Sequence, residues 1–229
     1  MNIAEILKKK IELDETILTE FESKELLEEI GIQVPTQILT TSKEETVNAI
    51  EKIGFPIVLK LIAEDIVHKS DTGAVKLNLK SSEDVEQAYD ELISIPSQKE
   101  KKISVQKMED EPITELIIGM TTDPQFGPAL MFGIGGILVE LLEDVSFRIA
   151  PITQYDANEM VHEIKGFPIL DGYRGKPKAD IKAITDTLLK ISDLVIKHEE
   201  IKEMDLNPVF IYEQGLICVD ARIILKNRK

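Results

Sequence analysis

EMDLNPVFIYEQGLICVDAR, residues 203–222, reads as two short strands around a turn at Glu213–Gly215. Successive strand side chains point to opposite faces, so Asp205 and Asn207 share a face and Glu203 joins them. Asp220 lies on the next predicted strand and can approach that face across the hairpin. Carboxylate and amide oxygens on neighbouring strands suit Mg²⁺ held together with nucleotide phosphates. The competing explanation is a polar strand face closed by a turn, because Asn-Pro is a common turn pair. Cys218, in LICVD, reads as a buried filler among apolar strand residues.

Upstream of this stretch, residues 178–198 predict a helix with Ile181, Ile184, Leu188, Ile191 and Val195 on one stripe. Before it lies a loop, DGYRGKPK, in which Arg174 either clamps an anion or is solvated. ISVQKM, TELIIGM and ALMFGIGGILVE are three apolar segments that predict one central sheet. GIGG, residues 133–136, sets Gly135 in a turn where side chains would obstruct something. A strand is expected after it, which argues against a dinucleotide fingerprint. Arg148, in DVSFRIAP, needs an anionic partner if it is buried.

The first hundred residues predict a compact α/β unit. Thr19 and Glu22 have capping-box spacing before a helix carrying Leu26, Leu27 and Ile30, ended by Gly31. Residues 43–52 form another helix closed by Gly54, and Ser81 or Ser82 caps one that runs to about Ile93. Between them PIVLKLI (56–62) and VKLNL (75–79) are strands, and SQKEKK (97–102) is the expected hinge. Lys60 sits among apolar neighbours, so its ammonium either meets an anion or snorkels to the surface. In DIVHKSDTGAV, residues 65–75, Ser70 through Gly73 make a turn whose successive N–H groups can face a phosphate. His68 beside that turn is either a base or phosphoryl acceptor, or a surface loop histidine. The other two histidines, His162 and His198, lie in helical surface patterns, and the three lack zinc-site spacing.

Composition bounds the class. With 42 acidic against 27 basic residues the formal charge is −15, which argues against a nucleic-acid or anionic-lipid surface. One cysteine precludes an internal disulfide, no run approaches 18 apolar residues, and the N-terminus lacks a signal peptide's apolar core. The expected location is a reducing cytoplasm and the expected fold class is α+β or α/β with mostly antiparallel sheet.

In this order, GFPIVLK (54–60), HKSDTGAV (68–75), DPQFGPALMFGIGGILVELLEDVSFRIAP (123–151), GYRG (172–175) and EMDLNP…VDAR (203–222) resemble the beta subunits of archaeal-type ADP-forming acetate–CoA ligases. These are ATP-grasp proteins related to succinyl-CoA synthetase. The resemblance implies an ATP-grasp fold of two α/β subdomains with nucleotide bound between them. It implies N-terminal helices at 1–32 packing on the core, a lid-like subdomain at 33–100 and a core subdomain at 101–229. It gives Lys60 the nucleotide phosphates, with Ser70 and Gly73 in the phosphate-facing loop and Gly135 in the glycine turn. Gln106, Lys107 and Met108 fall beside the adenine, and Glu115 near the nucleotide pocket. Asn207 and Asp220 match Mg²⁺ ligands with Asp205 as acidic partner. Arg148 resembles the arginine near the transferred phosphate, and His68 the histidine that receives a phosphoryl group. One departure is Ala74, where the family has a second glycine; a methyl is tolerated there only if φ is negative.

The implied reaction converts acyl-CoA, ADP and phosphate into a carboxylic acid, CoA and ATP, through a phosphohistidine relay that uses Mg²⁺ and ATP/ADP. The implied partner is an alpha-type subunit carrying the CoA site and the first phosphohistidine, in an α2β2 complex. Two alternatives stay open: a stand-alone ATP-grasp ligase joining an acid to an amine, which needs no His68, and a non-catalytic nucleotide sensor.

Overall fold

The computed structural model describes residues 3–63, 65, 73–136, 139 and 142–227. In chain order the helices are α1 (Ile3–Glu12), α2 (Glu20–Glu29), α3 (Lys43–Ile53), α4 (Ser82–Ser94), α5 (Gln154–Glu163), α6 (Phe167–Leu170) and α7 (Ile181–Lys197). The strands are β1 (Gln37–Thr40), β2 (Ile57–Ile62), β3 (Val75–Leu79), β4 (Lys102–Lys107), β5 (Thr114–Asp123), β6 (Gly127–Ile134), β7 (Val145–Ile149), β8 (Ile201–Ile211), β9 (Leu216–Cys218) and β10 (Ala221–Leu225). The chain divides into two units, residues 35–110 and residues 1–34 with 111–229.

The smaller unit is an antiparallel sheet in the order β1-β4-β2-β3, with α3 and α4 on one face. Ile57, Leu59 and Leu61 of β2 pack with Ile103 and Val105 of β4 against Ala49, Val85, Ala88 and Leu92 of the helices. The period of two then sends Val58, Lys60 and Ile62 to the opposite face. Ser42 caps α3 and Ser81 caps α4, each side chain accepting from the N–H three residues on.

β4 corrects two expectations. It lies inside the small sheet, paired to β1 and β2, so ISVQKM is not part of the larger sheet. SQKEKK is therefore a loop within the smaller unit rather than the hinge. The Asp65 carboxylate holds it in place, accepting from Ser97 Oγ at 2.6 Å and from the Gln98 N–H at 2.8 Å. The chain passes between units at 34/35 and 110/111 instead. Polarity marked the segment as a loop; only strand pairing shows to which sheet its neighbours belong.

The larger unit has the strand order β10-β8-β5-β6-β7, with β9 pairing β8, and all pairs are antiparallel. One face is dry. Ile184, Leu188, Ile191 and Val195 of α7 pack there with Leu116, Ile118, Leu130, Phe132, Met204 and Leu206 of the strands. α1 and α2 contribute Ile6, Leu7, Leu26 and Leu27 to the same core. The predicted Thr19–Glu22 capping box is present, and the segment before it extends the sheet edge, where Leu18 N–H donates to Ile223 O at 3.0 Å. Two buried lysines carry ion pairs into this packing. Lys24 is fully buried with its Nζ 2.7 Å from Glu20 Oε1. Burial pulls the Lys10 ammonium down, but Glu15 at 2.7 Å and Glu22 at 2.9 Å outweigh it and hold its pKa above the ordinary value.

Among the described residues no strand lies between GIGG and β7. β6 ends at Ile134, and Val139 and Leu142 are helical. Gly133 faces the reason: a Cβ there would stand 2.9 Å from both Asp144 O and Val145 Cγ1, where β7 begins. Among the described residues no helix is long and apolar enough to cross a membrane.

Candidate functional site

The open face of the larger sheet collects the polar residues singled out from the sequence. In β8, Met204 and Leu206 are buried in the core, so Glu203, Asp205 and Asn207 project from the other side. Register across the sheet sets Arg222, Asp205, Gly119, Met131 and Phe147 in one row, on β10, β8, β5, β6 and β7 in turn. The next row is Ile224, Glu203, Thr121, Ala129 and Ile149. Gly119 has no side chain to fill the centre, and a concavity of about 200 Å³ opens over it, walled by Arg222, Asp205, Glu203, Met131 and Phe147.

Asp220 reaches this face by a route the sequence did not show. It lies on no strand but in the crossing between β9 and β10. Asn207 N–H donates to Asp220 O at 3.2 Å and Val219 N–H donates to Pro208 O at 3.0 Å. These backbone bonds set Asp220 beside Asn207. The predicted pair of strands is thus three strands, because β9 pairs β8 only as far as Val209 before the chain crosses to β10.

Electrostatics single out Asp205. Burial pushes its carboxyl above the ordinary carboxylate value; the Arg222 charge opposes that rise and the Asp220 charge adds to it. A cation here would relieve the repulsion between the two carboxylates. No group of three or more His, Cys, Asp or Glu able to hold a metal occurs among the described residues. Two carboxylates and one amide oxygen are an incomplete set of hard donors. That fits Mg²⁺, which dehydrates reluctantly and draws its other ligands from water and substrate phosphates.

The smaller unit carries a second polar face. Lys60 is 4% exposed on the side of β2 away from the helices, and its cross-strand neighbour is Ser104. Gln106 Nε2 donates to Ser104 Oγ at 3.0 Å, and both residues are buried. Lys60 therefore sits in a buried polar strip and does not snorkel to the surface. Lys107 is exposed, and its N–H donates to Thr36 O at 2.9 Å; Met108 N–H donates to Pro56 O at 3.1 Å. Gly73 has φ +69° with open space where a Cβ would stand. Ala74 is fully buried in the small core and is absent from the residues of positive φ, so its methyl is accommodated. His68 and Ser70 lie outside the described residues.

Other expected residues are placed elsewhere. Glu115, exposed on β5, offers its carbonyl to the Gly135 N–H at 2.8 Å, and a Cβ on Gly135 would stand 3.4 Å from it. Arg148 pairs in register with the core residue Leu130, which sets it on the face opposite Asp205. The anionic partner it requires is Glu163 of α5, held bidentately at 2.9 and 2.8 Å. Arg174 is exposed, with its guanidinium 5.2 Å from the Tyr173 ring centroid. His162 Nδ1 bonds to Asn158 O and His198 Nδ1 lies 3.3 Å from Glu200, so neither joins a site. The row that contains Arg222, Gly119, Met131 and Phe147 went unread in the sequence. Alternation in VDARIIL marks Arg222 as outward, but its alignment with Asp205 is a long-range register.

The ATP-grasp domain family model matches residues 9–225. The chain is 45% identical to the acetate–CoA ligase [ADP-forming] I subunit beta of Pyrococcus furiosus, over 91% of each protein. It is 47% identical, over 93% of its length, to the acetate–CoA ligase [ADP-forming] II of Archaeoglobus fulgidus, but spans only 31% of that protein. Among solved structures it superimposes, with a TM-score of 0.87 and 45% identity over 97% of this chain and 99% of the other, on the acetyl-coenzyme A synthetase 1 of Ca. Korarchaeum cryptofilum. That structure holds coenzyme A and Mg-AMPPCP, with its phosphohistidine segment pointing towards the nucleotide-binding site. The chain therefore belongs to the ATP-grasp family, among the beta subunits of ADP-forming acetate–CoA ligases.

Proposed function

We propose that this chain is the nucleotide-binding beta subunit of an ADP-forming acyl-CoA synthetase, active only with an alpha-type subunit and located in the cytoplasm as part of an α2β2 complex. The observation that carries this is the meeting of Asp205, Asn207 and Asp220 on one sheet face, in a chain that aligns end to end with such beta subunits. Asp205, Asn207 and Asp220 would hold Mg²⁺, which supplies charge neutralisation at the phosphate oxygens when bound. Lys60 would contact the nucleotide phosphates from the buried polar strip it shares with Ser104 and Gln106. Gln106, Lys107, Met108 and Glu115 would line the nucleoside end, and Gly73 with Ser70 would form the phosphate-facing loop.

The chemistry is a phosphoryl shuttle. Phosphohistidine gives its PO₃ group to an oxygen of the ADP β-phosphate. The N–P bond breaks, its electron pair stays on the imidazole nitrogen, and that nitrogen takes up one proton. In the reverse direction neutral His68 is the nucleophile.

The test is reconstitution. The chain is mixed with an alpha-type subunit, Mg²⁺ and γ-labelled ATP, and acid-labile, base-stable label is sought on His68. His68→Asn should abolish transfer through His68 and leave Mg-ADP affinity within about threefold. No ATP formation from acyl-CoA, ADP and phosphate by the wild-type complex would defeat the proposal. Turnover by the isolated chain with an amine acceptor would replace it with an acid–amine ligase.

A further inference from the structure

We propose that Arg222 is the cation that meets the phosphoryl group during transfer, in a seat floored by Gly119; this rests on the function proposed above. Two observations lead there. The Arg222 guanidinium lines the concavity and makes no hydrogen bond or salt bridge with any described residue, though its charge acts on Asp205. Arg148, by contrast, is fully engaged by Glu163 on the other face. An arginine left beside Asp205, whose carboxylate makes no salt bridge, while Glu203 is taken by Lys202 at 2.8 Å, is disposed to meet an anion from outside.

Its position along the strands gives the anion's identity. Asn207, beside Asp220, comes first, and Asp205 with its register partner Arg222 lies two residues further on, about 7 Å at the strand rise. The concavity opens around that row and the next, towards Glu203 and Thr121. A phosphate that shared a metal with Asn207, Asp220 and Asp205 would lie next to Arg222, the register partner of Asp205. Facing Arg222 across the Gly119 gap are Met131 and Phe147, and Phe147 is 54% exposed. That apolar wall suits the flat edge of an imidazole. The seat thus combines a guanidinium for the equatorial phosphoryl oxygens with an apolar wall for the ring that gives or takes the group. A side chain at position 119 would occupy the space between them, and a Cβ there would already lie 3.1 Å from Met131 Cε.

The imidazole has two sources, His68 of this chain and the phosphohistidine of the partner subunit, and the test treats them separately. The reconstituted complex is labelled on histidine and chased with Mg-ADP, once in the wild-type background and once with His68→Asn, where only the partner can carry label. Arg222→Gln is expected to slow discharge about 10²–10³-fold in at least one arm, the usual cost of losing one such donor. The arm affected names the source. Arg222→Lys should recover part of the rate, because it keeps the charge but not the fork. Arg148→Gln should stay within about threefold of wild type. A second readout needs no turnover. Aluminium fluoride, an anion that mimics the transferring phosphoryl, should tighten Mg-ADP binding to the wild-type full chain at least about tenfold by calorimetry, and should not tighten it in Arg222→Gln. Melting temperature and Mg-ADP affinity without fluoride should match wild type, which separates the effect from misfolding. Wild-type discharge rates in both arms with Arg222→Gln would overturn the assignment while leaving the function standing. A wild-type complex that neither takes label nor makes ATP would instead defeat the function itself.

Discussion

Gly133→Ala is the sharpest test of how the glycine turn builds the larger sheet. The added methyl carbon would stand 2.9 Å from Asp144 O, 2.9 Å from Val145 Cγ1 and 3.2 Å from Val139 Cγ2. Contacts under 3 Å must open, and the carbonyl is the difficult one. Asp144 cannot retreat freely, because its buried carboxylate accepts from the Lys165 N–H at 2.8 Å and the Gly166 N–H at 2.7 Å. Pushing Asp144 away therefore strains both the start of β7 and the turn into α6. Inserting a methyl into such a site costs about 1–3 kcal/mol. The loss of glycine entropy in the unfolded chain returns about 0.4–1 kcal/mol, leaving a net cost near 1–2 kcal/mol. For a chain of this size that lowers the melting temperature by about 2–8 °C. Gly135→Ala is the internal control: its nearest contact would be Glu115 at 3.4 Å, an ordinary van der Waals distance, and it should melt within about 2 °C of wild type. Thermal melts of the three proteins, followed by calorimetry and circular dichroism, decide the matter. A Gly133→Ala protein as stable as wild type, or a Gly135→Ala protein that falls as far, would refute the close approach of β6 to Asp144.

Four further outcomes follow from other elements. Asp180 caps α7 by accepting from Ala183 N–H at 3.0 Å and ties in the β8–β9 turn through Gly215 N–H at 2.9 Å, and these bonds hold its pKa below the ordinary value. Asp180→Ala should cost about 1 kcal/mol at pH 7. A depressed carboxyl stabilises above its unfolded pKa of about 3.9, so the gap between the two proteins should close as pH falls below about 4, which urea melts across pH would show. Lys24→Met breaks the buried pair with Glu20 and should cost about 3–5 kcal/mol, whereas adding Glu20→Leu to it should restore much of that; a double-mutant cycle reads the difference. Asp220→Asn should raise the Mg²⁺ concentration needed for nucleotide binding at least about tenfold, measured by calorimetry against a Mg²⁺ titration. Cys218 is fully buried with its Sγ 3.2 Å from Asp220 O, so a thiol reagent should label it at the rate of unfolding and not before.

Much of the local structure was legible because it is written in short-range chemistry. The Thr19–Glu22 box, the Gly54 terminus and the α7 stripe depend on neighbours within a few residues, and each is where the sequence placed it. Long-range pairing was not legible. ISVQKM reads as a strand in either sheet, because its own periodicity is silent about partners; its neighbours turn out to be β1 and β2. ILVE after the glycines has the composition of a strand, yet Val139 is helical.

The same division runs through the site. From sequence alone it follows that Asp205 and Asn207 share a strand face, by the period of two, whereas Lys60 stayed open between an anion and the surface, since either one avoids the cost of burying charge. The tertiary structure alone decided which arginine stands with them. Arg148 and Arg222 are equally plausible cations in one dimension. Strand alternation combined with cross-strand register turns Arg148 to the helix layer, where Glu163 claims it, and aligns Arg222 with Asp205 over the space that Gly119 leaves open. Register is set by contacts between residues far apart in the chain, and no local pattern in VDAR or DVSFR carries that information.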